Sequence, residues 1–366
     1  MMPGLNAYGR YILRTFYGAI TWDTFHGTSP AWINENISGR STGKLDPRYA
    51  PARITYGNLS ADVAGLTGGG WSYRVEQSFF SNDVGGGNLG NAWVAYDNLL
   101  KGDLQARVGK FSRPVPSVFS NNWYRTNFSM PSITAASHGY SLSGGAWGSE
   151  LSYEHGYVAA EVGYFEIPTY WPTSATFLSV PGTQRSVSYQ VAYASPRSPL
   201  EVGFYGSTGT YTQSTKDPVT QDQFTGNGVY VMRDADPRRY IPGVALIYQI
   251  TTDNNPGLIG KTYVPPGTTH ATALQIEEPL FNGRAMIGWR REIDQNLTGV
   301  LSGNVIDAGV QVPHLPYLFL YGEAAMGNLY TTPPAGFTTA TFTQPTWRWG
   351  LRWAAPVVGP LTKIEK

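Results

Sequence analysis

The chain has 366 residues, a net charge of +1 and no cysteine. It therefore offers no basic field for a polyanion, no disulfide, no thiolate metal site, no cysteine nucleophile and no anchor for a covalent c-type haem. Charged residues make up 14% against about 25% in an ordinary soluble domain, while 43 Gly, 24 Tyr, 15 Phe and 11 Trp point to many short strands and tight turns.

Mean hydropathy is −0.25, and no run approaches the about 18 uncharged apolar residues of a membrane-spanning helix. A wall of strands escapes that test, because only alternate residues face lipid. No secretory leader is visible at Met1-Met2-Pro3-Gly4, so a mature or shortened form of an exported protein is expected.

In chain order, apolar or aromatic residues alternate with polar ones over runs of about ten residues. Trp71, Tyr73 and Val75 alternate with Ser72, Arg74 and Glu76, and Leu104, Ala106 and Val108 with Gln105, Arg107 and Gly109. Leu151 and Tyr153 face away from Glu150, Ser152 and Glu154. Val158, Ala160, Val162 and Tyr164 oppose Ala159, Glu161 and Gly163. Val187, Tyr189, Val191 and Tyr193 alternate with Ser186, Ser188, Gln190 and Ala192. After a turn at residues 195–199, Leu200, Val202 and Phe204 oppose Glu201, Gly203 and Tyr205. Val244, Leu246, Tyr248 and Ile250 form another apolar face. Asn282-Gly283 suits a two-residue type I′ turn before Ala285, Ile287 and Trp289. The last unit puts Trp347, Trp349, Leu351 and Trp353 on one face and Arg348, Gly350 and Arg352 on the other.

An aromatic face repeated in strand after strand, backed by Arg, Glu, Gln, Ser and Gly, is an inside-out pattern, apolar toward lipid and polar toward a lumen. The expected fold is all-β: one transmembrane antiparallel β-barrel over residues 1–366 in a bacterial outer membrane, with about 16 strands (roughly 14–18) and a lumen wide enough for water. Tight connections at 97–103, 155–156, 195–199 and 281–284 are assigned to the periplasm. Long ones at 26–51, 112–137, 208–224, 252–269 and 327–345 are assigned to the outside. Thirteen residues follow Trp353, either as the end of a last strand through Val357 and Val358 or as a periplasmic tail.

The lumen-facing charges expected are Arg74, Glu76, Arg107, Glu161, Arg290, Glu292, Glu323, Arg348 and Arg352. Cross-strand ion pairing is the plain account of them, and solute selection by charge the functional one. The lipid-facing aromatic girdle comprises Trp71, Tyr73, Tyr189, Tyr193, Trp289, Trp347, Trp349 and Trp353. The aromatic segment 112–137, with Arg113, Trp123, Tyr124 and Arg125, either folds inward to narrow the pore or packs outside as a loop.

Other motifs are weaker. Gly85-Gly86-Gly87-Asn88-Leu89-Gly90 fits a dinucleotide fingerprint but lies between amphipathic strands, where a turn is expected. The segment ending Gly260-Lys261-Thr262 lacks the first glycine of a phosphate-binding loop, and Pro265-Pro266 would stop a helix. His26, His138, His155, His270 and His314 are scattered, with no i, i+4 pair for a metal, and there is no Gly-x-Ser-x-Gly elbow.

The opening Pro3-Gly4-Leu5-Asn6-Ala7-Tyr8-Gly9-Arg10-Tyr11 resembles the stretch that follows the haem motif in bacterial porin-cytochrome fusions, the iron-oxidising outer-membrane cytochromes. The matching positions are Pro3, Leu5, Asn6, Tyr8, Gly9, Arg10 and Tyr11. A looser likeness covers residues 92–116, where Arg107-Val108-Gly109-Lys110-Phe111 resembles a porin hairpin strand leading into a long loop. The resemblance implies a barrel that sheathes a haem as an electron conduit. No CxxCH motif is present, so a haem c would come from a segment upstream of Met1 or from a cytochrome partner inserted in the lumen. Beside the conduit stand a general diffusion channel for small polar solutes and a secreted all-β binding protein. No nucleic-acid partner is expected, membrane lipid is, and an oligomer is compatible with the barrel.

Overall fold

The computed structural model describes residues 17–29, 33–37, 40–44, 52–67, 70–81, 88–114, 145–172, 179–194, 200–212, 221–233, 235–236, 238–253, 258–259, 262–263, 267–281, 284–296, 299–315, 318–327 and 346–358. The strands are β1 (Tyr17–Ser29), β2 (Ile33–Ile37), β3 (Arg40–Lys44), β4 (Ala52–Thr67), β5 (Trp71–Ser81), β6 (Asn88–Leu99) and β7 (Leu104–Ser112). There follow β8 (Gly145–His155), β9 (Val158–Pro172), β10 (Ser179–Ala194), β11 (Leu200–Thr212), β12 (Gln221–Arg233) and β13 (Gly243–Asp253). The chain continues with β14 (Leu258–Ile259), β15 (Thr262–Tyr263), β16 (Gly267–Leu280), β17 (Ala285–Asn296), β18 (Gly299–Gln311), β19 (Leu318–Gly327) and β20 (Thr346–Val358).

Among the described residues, sixteen of these strands pair antiparallel with their chain neighbours and close into one barrel, β1 meeting both β4 and β20. The small hairpins β2–β3 and β14–β15 stand outside that ring. Closure removes the unpaired strand edges that an open sheet would expose. No helix in the described residues is long and apolar enough to cross a membrane. Because neighbours run antiparallel, alternate connections fall at the same end. One end carries 68–70, 100–103, 156–157, 195–199, 234–242, 281–284 and 312–317. The other carries the connections that include residues 30–51, 113–144 and 328–345. β20 runs through Val358, so Val357 and Val358 lie in the last strand, opposite Gly18 and Tyr17.

Alternation becomes a two-sided wall. Val187, Val191 and Tyr193 on β10 are 40–48% exposed, whereas Ser186, Ser188, Gln190 and Ala192 between them are 1–3% exposed. The outward series is shared by Leu151, Val162, Phe204, Val229, Leu246, Ile276, Ile287, Ile306 and Leu320. Outside a closed barrel side chains diverge and stay exposed; inside they converge and cover one another. Toward the long-loop end of β9 and β10 the outward apolar run gives way to an ion pair between Glu166 and Arg185, 3.4 Å apart and both well exposed.

The inner face is not uniformly polar, as the alternation alone suggests. Ala192, Tyr205, Phe224, Tyr230, Met232, Ala245, Ile247, Ala271 and Ala273 form one buried cluster, and Phe111, Ala146 and Phe165 with Trp93 a second. Glycine makes room for these rings. Tyr230 lies opposite Gly203, and Tyr205 opposite Gly228. A Cβ on either glycine would collide with the facing ring, so each tyrosine lies flat on the wall and shields the neighbouring backbone. Gly109 on β7 has φ +137° and backs onto the main chain of Ala92 and Trp93. No side chain fits there, which gives the Arg-Val-Gly-Lys-Phe run its glycine.

Candidate functional site

The inner wall carries several groups of ionisable and polar side chains, held in place by the pleat: every second residue of each strand points in, and the register decides which of them meet. On β5, Arg74 and Glu76 are 3.8 Å apart and both partly exposed. Glu76 sits where the β5–β6 pairing slips, and its carboxylate accepts from Asn91 Nδ2 at 2.5 Å.

The second group spans β7–β9. Arg107 stands directly opposite Glu150, and the two side chains form an ion pair. The Arg107 guanidinium also lies 4.2 Å from the Phe111 ring centre and 5.5 Å from that of Trp93. Ser152 Oγ donates to Glu150 Oε1 at 3.0 Å. Glu161 lies opposite Ser152 on one side and Gln190 on the other, 9% exposed.

A third group crosses β10–β13. Gln190 Nε2 donates to the Tyr230 hydroxyl at 2.8 Å, and that hydroxyl donates to Glu201 Oε1 at 2.8 Å. The Tyr205 hydroxyl donates to Gln249 Oε1 at 3.0 Å, and Gln249 Nε2 donates to Thr251 Oγ1 at 3.1 Å. Ser188 and Ser207 pair at 2.9 Å. Hydrogen bonding of this kind is what lets polar groups be covered inside the wall. On β16–β18, Gln275 Nε2 donates to Glu277 at 2.5 Å, Arg290 faces Gln275 and Val305, and Asp307 is fully buried.

Of the charges expected in the lumen, Arg74, Arg107, Glu161 and Arg290 share the inner parity with the buried residues beside them, and Glu76 lies on the same side of β5 as Arg74. Glu292 shares the parity of Arg290, Glu323 that of the buried Tyr321, and Arg348 and Arg352 that of the buried Gly350. The side chains of these last four lie outside the described residues. In register, Asp307 faces Glu323 and Glu323 faces Arg348. Trp71, Tyr73, Tyr189, Tyr193, Trp289 and Trp349 take the outer parity, which Trp347 and Trp353 share in the strand while their side chains are not described. Arg113, just past β7, is 2% exposed. Trp123, Tyr124 and Arg125 lie outside the described residues, as do Asn282-Gly283 and Pro3–Tyr11.

Glu150, Glu201, Tyr230, Glu277 and Asp307 also belong to these wall groups, beyond the charges expected from the alternation. For Glu150 and Glu201 the signal was present, since both share the parity of neighbouring inward residues. Tyr230 and Asp307 sit in Val229-Tyr230-Val231-Met232 and Val305-Ile306-Asp307, where both parities are largely apolar and the period of two is blurred. The glycine-rich run before β6 leads into a strand, and Leu258–Ile259 and Thr262–Tyr263 form a small hairpin, so neither phosphate motif has the helix it needs. His155 Nδ1 is 3.0 Å from Asp103 and His270 Nδ1 2.9 Å from the Tyr248 hydroxyl. No group of three or more potential metal ligands occurs among the described residues.

No protein-family model matches the chain. No curated protein matches its sequence. Solved structures do match the fold. The anion-selective porin from Comamonas acidovorans superposes with a TM-score of 0.57 at 14% identity, over 93% of this chain and 99% of that one. OmpF of Salmonella typhi, in a complex with daunomycin, gives 0.59 at 10% over 93% and 97%. The trimer form of OmpT, an outer-membrane protein of Vibrio cholerae, gives 0.56 at 12% over 93% and 98%. With its closed antiparallel ring and two-sided wall, the chain has the transmembrane β-barrel fold that these outer-membrane porins share.

Proposed function

We propose that the protein is an outer-membrane porin, a passive channel for small polar solutes, with its short-turn end in the periplasm and its long connections outside. The observation that carries this reading is the wall itself: runs of exposed apolar side chains such as Val187, Val191, Val202, Phe204, Val229, Leu246 and Ile306 on outward positions, and hydrogen-bonded polar and ionic groups among buried apolar patches on the inward ones. A lumen lined by both signs of charge gives weak ion preference. Arg74, Glu76, Arg107, Glu161, Arg290, Glu292, Glu323, Arg348 and Arg352 are its lining charges. Arg113, Trp123, Tyr124 and Arg125 belong to the segment that narrows it, and the eight girdle aromatics hold the barrel at the lipid boundary. A homo-oligomer fits the same barrel, as in the trimer form of the Vibrio protein. Planar-bilayer recording of the detergent-purified protein tests the function. Discrete, ohmic, long-lived steps with a reversal potential near zero in a salt gradient are expected, and a preparation that inserts without conductance refutes it.

A second reading, the sheath of an electron conduit with a cytochrome partner, rests on the Pro3–Tyr11 stretch. Its test is a reduced-minus-oxidised visible spectrum of the protein purified from its native membrane. A haem Soret band and α band travelling with the barrel would favour the conduit over the plain channel, and a flat spectrum would exclude it.

A further inference from the structure

Every non-glycine residue with a left-handed backbone among the described residues lies at the short-turn end of the barrel. They are Leu100 (φ 45°), Lys101 (φ 59°), Tyr240 (φ 54°), Phe281 (φ 50°) and His314 (φ 62°). Bulky side chains avoid this region, because Cβ crowds the following carbonyl, and such outliers persist where the position serves something other than folding. Here the backbone presents large apolar groups at the turn apices. Leu100 is 67% exposed, Tyr157 49%, Tyr240 51%, Phe281 71% and Leu315 52%.

Four of these five apices have a basic residue beside them in the turn. Lys101 follows Leu100, Arg238 and Arg239 precede Tyr240, Arg284 closes the turn begun by Phe281 through its N–H to the Phe281 carbonyl at 3.3 Å, and His314 precedes Leu315. Lys101, Arg238, Arg239 and Arg284 are all exposed. Two acids are described in these turns, Asp103 and Asp236, and both have partners. Asp103 pairs with His155 beside Tyr157. Asp236 Oδ1 accepts from the backbone N–H groups of Arg238 and Arg239, and its Oδ2 lies 3.7 Å from Arg239 Nε. Among the described residues of these turns, four Lys or Arg side chains (Lys101, Arg238, Arg239 and Arg284) stand beside the apolar tips against two acids.

The arrangement is a ring. These turns join β6 to β7, β8 to β9, β12 to β13, β16 to β17 and β18 to β19, so they are spread around the circumference. A protein partner covers one arc of such a rim; a bilayer leaflet meets all of it. Apolar and aromatic tips with Lys or Arg beside them are the composition of membrane-interface anchors, the ring or alkyl group entering the headgroup layer and the cation meeting lipid phosphate.

We propose that the short-turn rim is a binding surface for anionic phospholipid headgroups of the leaflet it sits in, with Lys101, Arg238, Arg239 and Arg284 as the phosphate contacts and Leu100, Tyr157, Tyr240, Phe281 and Leu315 as the wedges. The inference rests on the barrel spanning a membrane, which flotation with neutral vesicles checks separately, and it is independent of whether the channel conducts.

The test compares tryptophan quenching by brominated phosphatidylglycerol and brominated phosphatidylcholine in reconstituted vesicles, with Trp71 at the same rim among the reporters. Since each basic residue near an anionic surface strengthens association severalfold at low salt, about a threefold preference for phosphatidylglycerol is expected, falling toward unity at about 0.5 M salt. The K101Q/R238Q/R239Q/R284Q variant should show no preference while keeping its β-sheet circular dichroism spectrum. Equal quenching by the two lipids in the unsubstituted protein, or a preference that survives the fourfold substitution in a folded barrel, would overturn the proposal. Equal quenching together with photo-crosslinking of benzoylphenylalanine at Phe281 and Tyr240 to a periplasmic protein would replace it with a protein-docking surface.

Discussion

Replacing Arg107 by Ala tests whether the inner wall is tied together by ion pairs or merely lined by charges. The substitution strands Glu150, whose side chain is 0% exposed and whose remaining described partner is Ser152. Removing one partner of a buried ion pair costs about 3–5 kcal/mol. Arg107 is itself 21% exposed, so water can enter the vacated volume and the lower end of that range applies. Loss of the guanidinium stacked on Phe111 and Trp93 adds about 0.5–1 kcal/mol. Arg107→Ala should therefore destabilise the barrel by about 3–4 kcal/mol. Glu150→Gln in the same background removes the stranded charge but keeps an acceptor for Ser152, and should restore about 2 kcal/mol. The assay is guanidinium-induced unfolding in lipid vesicles, followed by tryptophan fluorescence, on the two single variants and the double. A cost below about 0.5 kcal/mol for Arg107→Ala, or the absence of coupling between the sites, would mean that Glu150 is bathed in lumen water, where exposed pairs contribute little.

Gly203→Ala should destabilise by about 1–3 kcal/mol, because its Cβ meets the flat ring of Tyr230, and the penalty should largely vanish in a Tyr230→Ala background; equal penalties in both backgrounds would place the ring elsewhere. Tyr230→Phe keeps the ring but removes the hydroxyl linking Gln190 to Glu201, at a cost of about 1–3 kcal/mol for the buried groups left behind, read from the same unfolding curves. Val191→Arg puts a charge on the outward belt and should cost about 2–4 kcal/mol in vesicles. No effect there would remove Val191 from the lipid face.

In the clearly alternating strands the two faces are legible in the sequence alone. Trp71, Tyr73 and Val75, or Val187 to Tyr193, reveal their outward side because the pleat has a period of two and only lipid rewards an exposed run of such residues. The lack of cysteine likewise decided that this chain carries no thioether-bound haem. Where both parities are apolar, as around Tyr230, Met232 and Ile247, the same rule fell silent, and the tertiary structure supplied the buried aromatic patches inside the wall. Which charges meet was also beyond local pattern. Arg107 and Glu150 are 43 residues apart, and Glu201 is linked to Gln190 through the hydroxyl of a tyrosine on a third strand. Those contacts depend on the register of strands joined by turns of unequal length, and a shift of one residue would turn each side chain to the opposite face. The rim of left-handed turns is a tertiary product too: the residues are visible in the chain, but only antiparallel closure gathers alternate turns at one end.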